Sequence, residues 1–252
     1  MKPKIVVCLI SAAMFAATNC SFAANADAHA SSLEPTPAGK RAARPKDPAL
    51  IDVADVPGLP RVLLIGDSIS VGYTLPVRAL LKGRANVHRV DGNCGDTARG
   101  LAHLDEWLGS GKWDVIHFNF GLHDLKYLDE KGQYVPPEKG KQVAPPPKYE
   151  ENLRQFVQRL RKTGAKLIFA TTTPVPAESL GRVEHDEIRY NETAARVMKE
   201  NGVAIDDLAA LVAPRLAELQ RPKNVHFTPA GYDEIAAKVV ASIAQALPSA
   251  AK

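Results

Sequence analysis

Five short apolar runs punctuate the chain, at Arg61–Ile65, Val87–Val90, Val115–Asn119, Lys166–Thr171 and, more weakly, Val203–Ile205. They are continuous rather than alternating, the pattern of strands covered on both faces. Between them the apolar positions recur at helical spacing over Leu75–Leu81, Thr97–Leu108, Tyr149–Lys162 and Asp186–Glu200, then over Ala209–Leu219 and Pro229–Leu247. Asn201 and Gly202 form a helix stop, and Thr228 followed by Pro229 a helix start. Strands alternating with helices of this length predict an α/β fold: an open parallel sheet with helices on both faces. In such a sheet ligands sit beyond the carboxyl ends of the strands. The polar residues that follow each apolar run are therefore the ones to read for chemistry.

The flanks of this pattern differ in kind. Residues 1–23 read as a secretory signal peptide: Lys2 and Lys4 precede the apolar run Ile5–Ala17, and Ser21, Phe22 and Ala23 make a small-residue cleavage site. The run is too short to span a bilayer comfortably, and no other apolar stretch is long enough to cross one, so no integral membrane segment is expected once the signal is removed. The expected location is secreted or periplasmic. Residues 24–58, rich in Ala, Pro, Ser and charge, read as a flexible linker, and residues 59–248 as the single domain. The segment Tyr127–Pro147 is too long for an ordinary connection; it is either a lid over the site or a solvated excursion.

The formal charge of +4 falls to +2 when Lys2 and Lys4 leave, and the remaining basic residues are dispersed, which argues against a nucleic-acid partner. Cys8 and Cys20 leave with the signal, so Cys94 is the mature chain's one cysteine and no internal disulfide can form.

The first apolar run ends in Gly66, Asp67 and Ser68. The glycine permits a tight turn, and Ser68 then sits where the sheet opens onto a pocket. The second run leads into a Gly-rich loop, Asp91–Thr97, able to aim a backbone N–H into that pocket. The third leads to Phe120, Gly121, Leu122, His123 and Asp124. His226 lies just before the last helix, where a loop can return it to the first strand's end. A serine alcohol is a poor nucleophile without a base to take its proton, and an imidazole with an unperturbed pKa of about 6.5 suits that task. Asp67 is expected to brace its turn, and Asp124 to hold its loop by capping. Cys94 reads as a small packed residue, and His88, His103, His117 and His185 show no metal-ligand spacing.

These blocks, in this order, resemble the SGNH (GDSL-like) hydrolases. Gly66–Ser68 is similar to their nucleophile block, Gly95–Thr97 to the second, Gly121–Asp124 to the third and His226–Gly231 to the last. The resemblance runs over the whole domain. It implies a flavodoxin-like three-layer sandwich around a five-stranded sheet, and ester hydrolysis through an acyl-serine intermediate without a metal or other cofactor. It further implies an oxyanion hole built from the backbone N–H of Ser68, that of Gly95 and a third-block side chain.

Two positions depart from the family. His123 stands where the family has Asn. A neutral imidazole N–H can donate from a similar place; otherwise His123 is a supporting or substrate contact, and Asn119 or a water fills the hole. Lys223 stands where the family has the Asp that orients the catalytic His. Lysine cannot accept from His226, which leaves a backbone carbonyl, Asn224 or a distant carboxylate to orient the ring. A Ser–His dyad is chemically sufficient, since the third member mainly fixes the tautomer and stabilises imidazolium. Thr171–Pro176, Arg189 and Asn191 are candidates to line the substrate site. The reading that follows is a secreted ester hydrolase removing a small acyl group, with acetyl on a carbohydrate as the expected substrate. A lipid or thioester hydrolase is the alternative enzyme, and a non-catalytic binding protein on the same scaffold the alternative class.

Overall fold

A computed structural model describes residues 45–248; the expected signal peptide and most of the expected linker lie outside them. Strand β1 (Arg61–Ile65) pairs in parallel with β2 (Asn86–Arg89) on one side and β3 (Val115–Phe118) on the other. β6 (Lys166–Ala170) follows β3, and β7 (Ala204–Asp206) forms the far edge. The five-stranded sheet therefore runs β2-β1-β3-β6-β7, and the expected parallel sandwich is the fold observed. Val62, Leu63, Leu64 and Ile65 are all buried, as are Val115, Ile116 and Phe118 beside them, so the continuous apolar runs reflect cover on both faces.

The helices carry readable stops and starts. α2 (Thr97–Leu108) is capped by Asp96, whose side chain accepts from Arg99 N–H at 3.0 Å. α3 (Pro146–Arg161) opens on proline, so the three prolines Pro145–Pro147 mark a helix entry rather than the middle of a loop. α4 (Glu187–Asn201) ends at Gly202 in the left-handed conformation, and α7 (Pro229–Ala246) begins where Thr228 accepts from Gly231 N–H. The single helix expected over Ala209–Leu219 is instead α5 (Leu208–Val212) and α6 (Leu216–Leu219), separated by a 3₁₀ turn at Pro214. Proline lacks the N–H that a continuous helix needs there.

Two segments differ from expectation in a way that matters for the site. α1 (Ser68–Leu80) starts seven residues earlier than its apolar periodicity suggests, because Asp67 caps it by accepting from Ile69 N–H at 2.9 Å. Residues 45–58 are packed on the domain rather than free. Ala49 is buried, Val56 exchanges hydrogen bonds with the Asn86 side chain, and Asp55 pairs with Arg61 and His88. The 127–147 segment folds as a small hairpin of β4 (Tyr127–Leu128) and β5 (Lys141–Gln142).

α1 and α7 lie against each other over Gly72. A Cβ at Gly72 would stand 2.2 Å from the Tyr232 ring, far inside van der Waals contact. Because Ser68 heads α1 and His226 precedes α7, this close approach sets the spacing of both. Gly72→Ala is expected to push Tyr232 aside, to cost about 1–3 kcal/mol of stability in urea unfolding, and to shift Ser68 relative to His226 in the remaining folded protein. Native stability in that variant would show that the two helices can separate without strain.

Candidate active site

Ser68 is the first residue of α1, so its backbone N–H has no acceptor within the helix and faces the end where the helix dipole is positive. Its Oγ lies 2.8 Å from His226 Nε2, across 158 positions of sequence. The two candidates chosen from sequence are thus brought into hydrogen-bond contact.

Asn224 completes the arrangement. Its Oδ1 is 2.7 Å from His226 Nδ1 and also accepts from the His226 backbone N–H at 3.0 Å. A backbone N–H can only donate, so the amide must present oxygen rather than nitrogen to the ring. Nδ1 then carries the ring proton, and the Nε2 lone pair is left to receive the Ser68 proton. Of the orienting groups left open by the sequence, Asn224 is the one in place. Lys223 turns away: it adopts a left-handed φ of 56° and extends its ammonium to Glu178 at 2.7 Å. Burial, with Arg221 and Arg182 nearby, holds the His226 imidazole below the ordinary histidine pKa, against an upward pull from Asp67. It is therefore a neutral base at neutral pH.

The other candidates fall into different places. Asp67 is buried and engaged as the α1 cap. Asp124 Oδ1 accepts from both the backbone N–H of Thr97 at 2.9 Å and its hydroxyl at 2.5 Å, tying the third block to the head of α2. Burial raises its pKa to about 7. Because the neutral form is the one the fold prefers, stability from this group is present at acid pH and is lost as the pH rises through that value. Gly95, with φ +68°, does adopt the conformation that favours glycine, but its N–H donates to Asn93 Oδ1 at 2.8 Å. This expected oxyanion donor is thus occupied by a neighbouring side chain, and Asn93 must swing aside to release it. Asn119, the alternative donor, gives one Nδ2–H to Ala170 O at 2.8 Å and is not among the residues that line the cavity of Ser68 and His226. His123 lines the same cavity as Ser68 and His226. Burial, Lys126 and Arg182 keep its pKa below the ordinary value.

That cavity has a volume of about 380 Å³, with Asn93, Tyr134, Ser179, Arg182 and Leu180 in its walls. Tyr134 comes from the hairpin, so that segment supplies part of the wall. Arg189 and Asn191 do not line it: Arg189 pairs with Asp186, and Asn191 holds the backbone of Thr172. Thr171 and Pro174 line a separate, apolar groove. Cys94 is fully buried, its Sγ accepts from Gly66 N–H at 3.3 Å, and burial raises its thiol pKa to about 11, which leaves it unreactive.

Arg89 escaped the sequence reading. It is the last residue of β2, and its buried guanidinium donates to five oxygens and to no carboxylate: Gly66 O, Asp67 O, Ser70 Oγ, Val90 O and Gly92 O. It staples the nucleophile turn to the start of the loop that leads into the second block. An arginine ending a strand beneath a Gly-rich loop was the available signal.

The chain belongs to the GDSL-like Lipase/Acylhydrolase family, whose model matches residues 64–234. It is accordingly an ester hydrolase of the SGNH type. A lipase/acylhydrolase from Enterococcus faecalis has the same fold, with a TM-score of 0.63 at 18% identity over 77% of this chain and 100% of that one. An acetylxylan esterase from Geobacillus stearothermophilus gives a TM-score of 0.58 at 20% identity, over 75% and 97% of the two chains. At such identities the likeness is one of fold. No curated protein matches the sequence.

Three outcomes test this geometry. The kcat/KM of the native protein should rise with pH through a midpoint below about 6.5, because the base must be neutral. Asn224→Asp places a carboxylate on Nδ1–H, so its acid limb should move to higher pH and its plateau rise by about tenfold; an unmoved limb would remove Asn224 from the assembly. Arg89→Leu strips the donors from buried carbonyls and should cost about 3 kcal/mol or more in urea unfolding, with Arg89→Lys recovering only part.

Proposed function

We propose that this protein is an exported serine esterase that removes small acyl groups, acetyl on a carbohydrate foremost. The 2.8 Å contact between Ser68 Oγ and His226 Nε2, with the tautomer set by Asn224, carries the reading. Ser68 Oγ attacks the ester carbonyl as its proton passes to His226 Nε2, and the carbonyl π pair moves onto oxygen. The Ser68 N–H and His123 are the donors assigned to that oxyanion. Collapse of the intermediate breaks the ester C–O bond, and the imidazolium returns its proton to the departing alcohol. Water then repeats the sequence on the acyl-serine and releases the acid.

The small-acyl assignment rests on a cavity near the low end of the range for ligand pockets, with Asn93, Ser179, Arg182 and Asn224 among the residues that line it. An apolar trough for a long lipid chain is not part of that lining. Export is supported by the leader-like pattern of residues 1–23. The carbohydrate part leans on fold neighbours that include acetylxylan esterases, a weaker support than the site itself.

The mature chain should hydrolyse p-nitrophenyl acetate, and Ser68→Ala should be slower by at least about a thousandfold. A fluorophosphonate probe should label Ser68. Rates should fall from acetyl to octanoyl esters, and acetylated xylo-oligosaccharides should release acetate. Equal turnover by native protein and Ser68→Ala would overturn the serine mechanism; preference for octanoyl would overturn the small-acyl assignment.

A further inference from the structure

An imidazole in place of the family's asparagine brings a difficulty that an amide does not have. Neutral histidine has two tautomers, and each ring nitrogen is a donor in one and a lone pair in the other. A lone pair aimed at the oxyanion would repel it. Something must therefore choose the tautomer of His123.

Lys126 Nζ lies 3.2 Å from His123 Nδ1. An ammonium can only donate, so Nδ1 must accept, and the single ring proton resides on Nε2. Nε2 is then the nitrogen left for the cavity that His123 shares with Ser68 and His226. We propose that Lys126 is a positioning residue for ester hydrolysis, holding His123 as the Nε2–H tautomer that donates to the oxyanion. The inference rests on the serine-esterase reading of this site.

The surroundings favour the same state. The ionisable groups acting on His123 are Lys126, Arg182 from the loop before α4, Asp67 at the head of α1 and Asp96 at the head of α2. Burial and the two cations disfavour imidazolium, while the two carboxylates pull the other way. Both carboxylates serve as helix caps. The ammonium is itself placed: the Tyr134 ring lies 5.1 Å from Nζ, and the Lys126 carbonyl accepts from Val143 N–H at 2.9 Å. Arg182 closes the other approach, donating twice to Leu122 O and standing over the same Tyr134 ring. The hairpin thus reaches the chemistry through Tyr134 in the cavity wall and through Lys126, the residue just before its first strand.

The test is a double-mutant cycle on p-nitrophenyl acetate with the full chain. Lys126→Met in the native background should lower kcat by about a hundredfold with little change in KM. Lys126→Arg, which can also only donate, should recover most of it. In a His123→Asn background the donor is an amide with no tautomers, so Lys126→Met should change kcat by less than about threefold. Nitrogen-15 NMR of the native protein should show His123 protonated at Nε2 and not at Nδ1, and Lys126→Met should mix the two forms. Equal losses in both backgrounds, no loss in the native background, or a native ring protonated at Nδ1 would each overturn the proposal. Ser68→Ala separates the two readings. If it keeps native turnover the esterase reading falls, whereas an inactive Ser68→Ala beside a fully active Lys126→Met removes only the role of Lys126.

Discussion

The contact between helices α1 and α7 is the constraint on which the site depends. One helix begins with the candidate nucleophile and the other follows the candidate base, and they meet where Gly72 leaves room for the Tyr232 ring. Residues 158 positions apart are thereby joined without a flexible loop having to find its partner. Holding one reacting group at the head of a packed helix and the other in the turn just before its neighbour meets the cost of ordering them once, during folding, instead of at every turnover.

Charge around the cavity is distributed unevenly. Arg89 lies beneath the nucleophile turn, Arg182 and Lys126 lie beside His123, and Asp67 is engaged by the backbone at the head of α1. The base is steadied by an amide dipole, not by an ion. The arrangement consequently does more for a developing negative charge on the substrate than for a positive one on the imidazole. That balance differs from a triad with a carboxylate, in which the aspartate supports imidazolium directly.

Much of this was legible in the sequence, for identifiable reasons. Continuous apolar runs revealed the five strands, because a strand covered on both faces has no polar positions to alternate with. Ser68 and His226 were readable because each follows or precedes a marked element boundary. What escaped were relations between distant residues. The start of α1 depended on one Asp67 hydrogen bond, and the break at Pro214 on whether the helix could tolerate a missing donor. Gly95 has the expected backbone, yet Asn93 takes its N–H through a side-chain rotation that no spacing encodes. Arg89 reads as one polar position at the end of a strand until its five partners are seen together. The stretch before residue 59 reads as linker by composition, although single contacts such as Ala49 and Asp55 hold its last part down.

Cys94 adds a consequence of its own. Its sulfur is packed behind the nucleophile turn and holds the Gly66 N–H, while its own backbone N–H donates to Gly66 O. A thiol reagent can reach that sulfur only when the turn parts from the second block. The rate of its modification is therefore a built-in clock for local opening beneath the serine, readable on a chain that lacks Cys8 and Cys20 and separable from global unfolding.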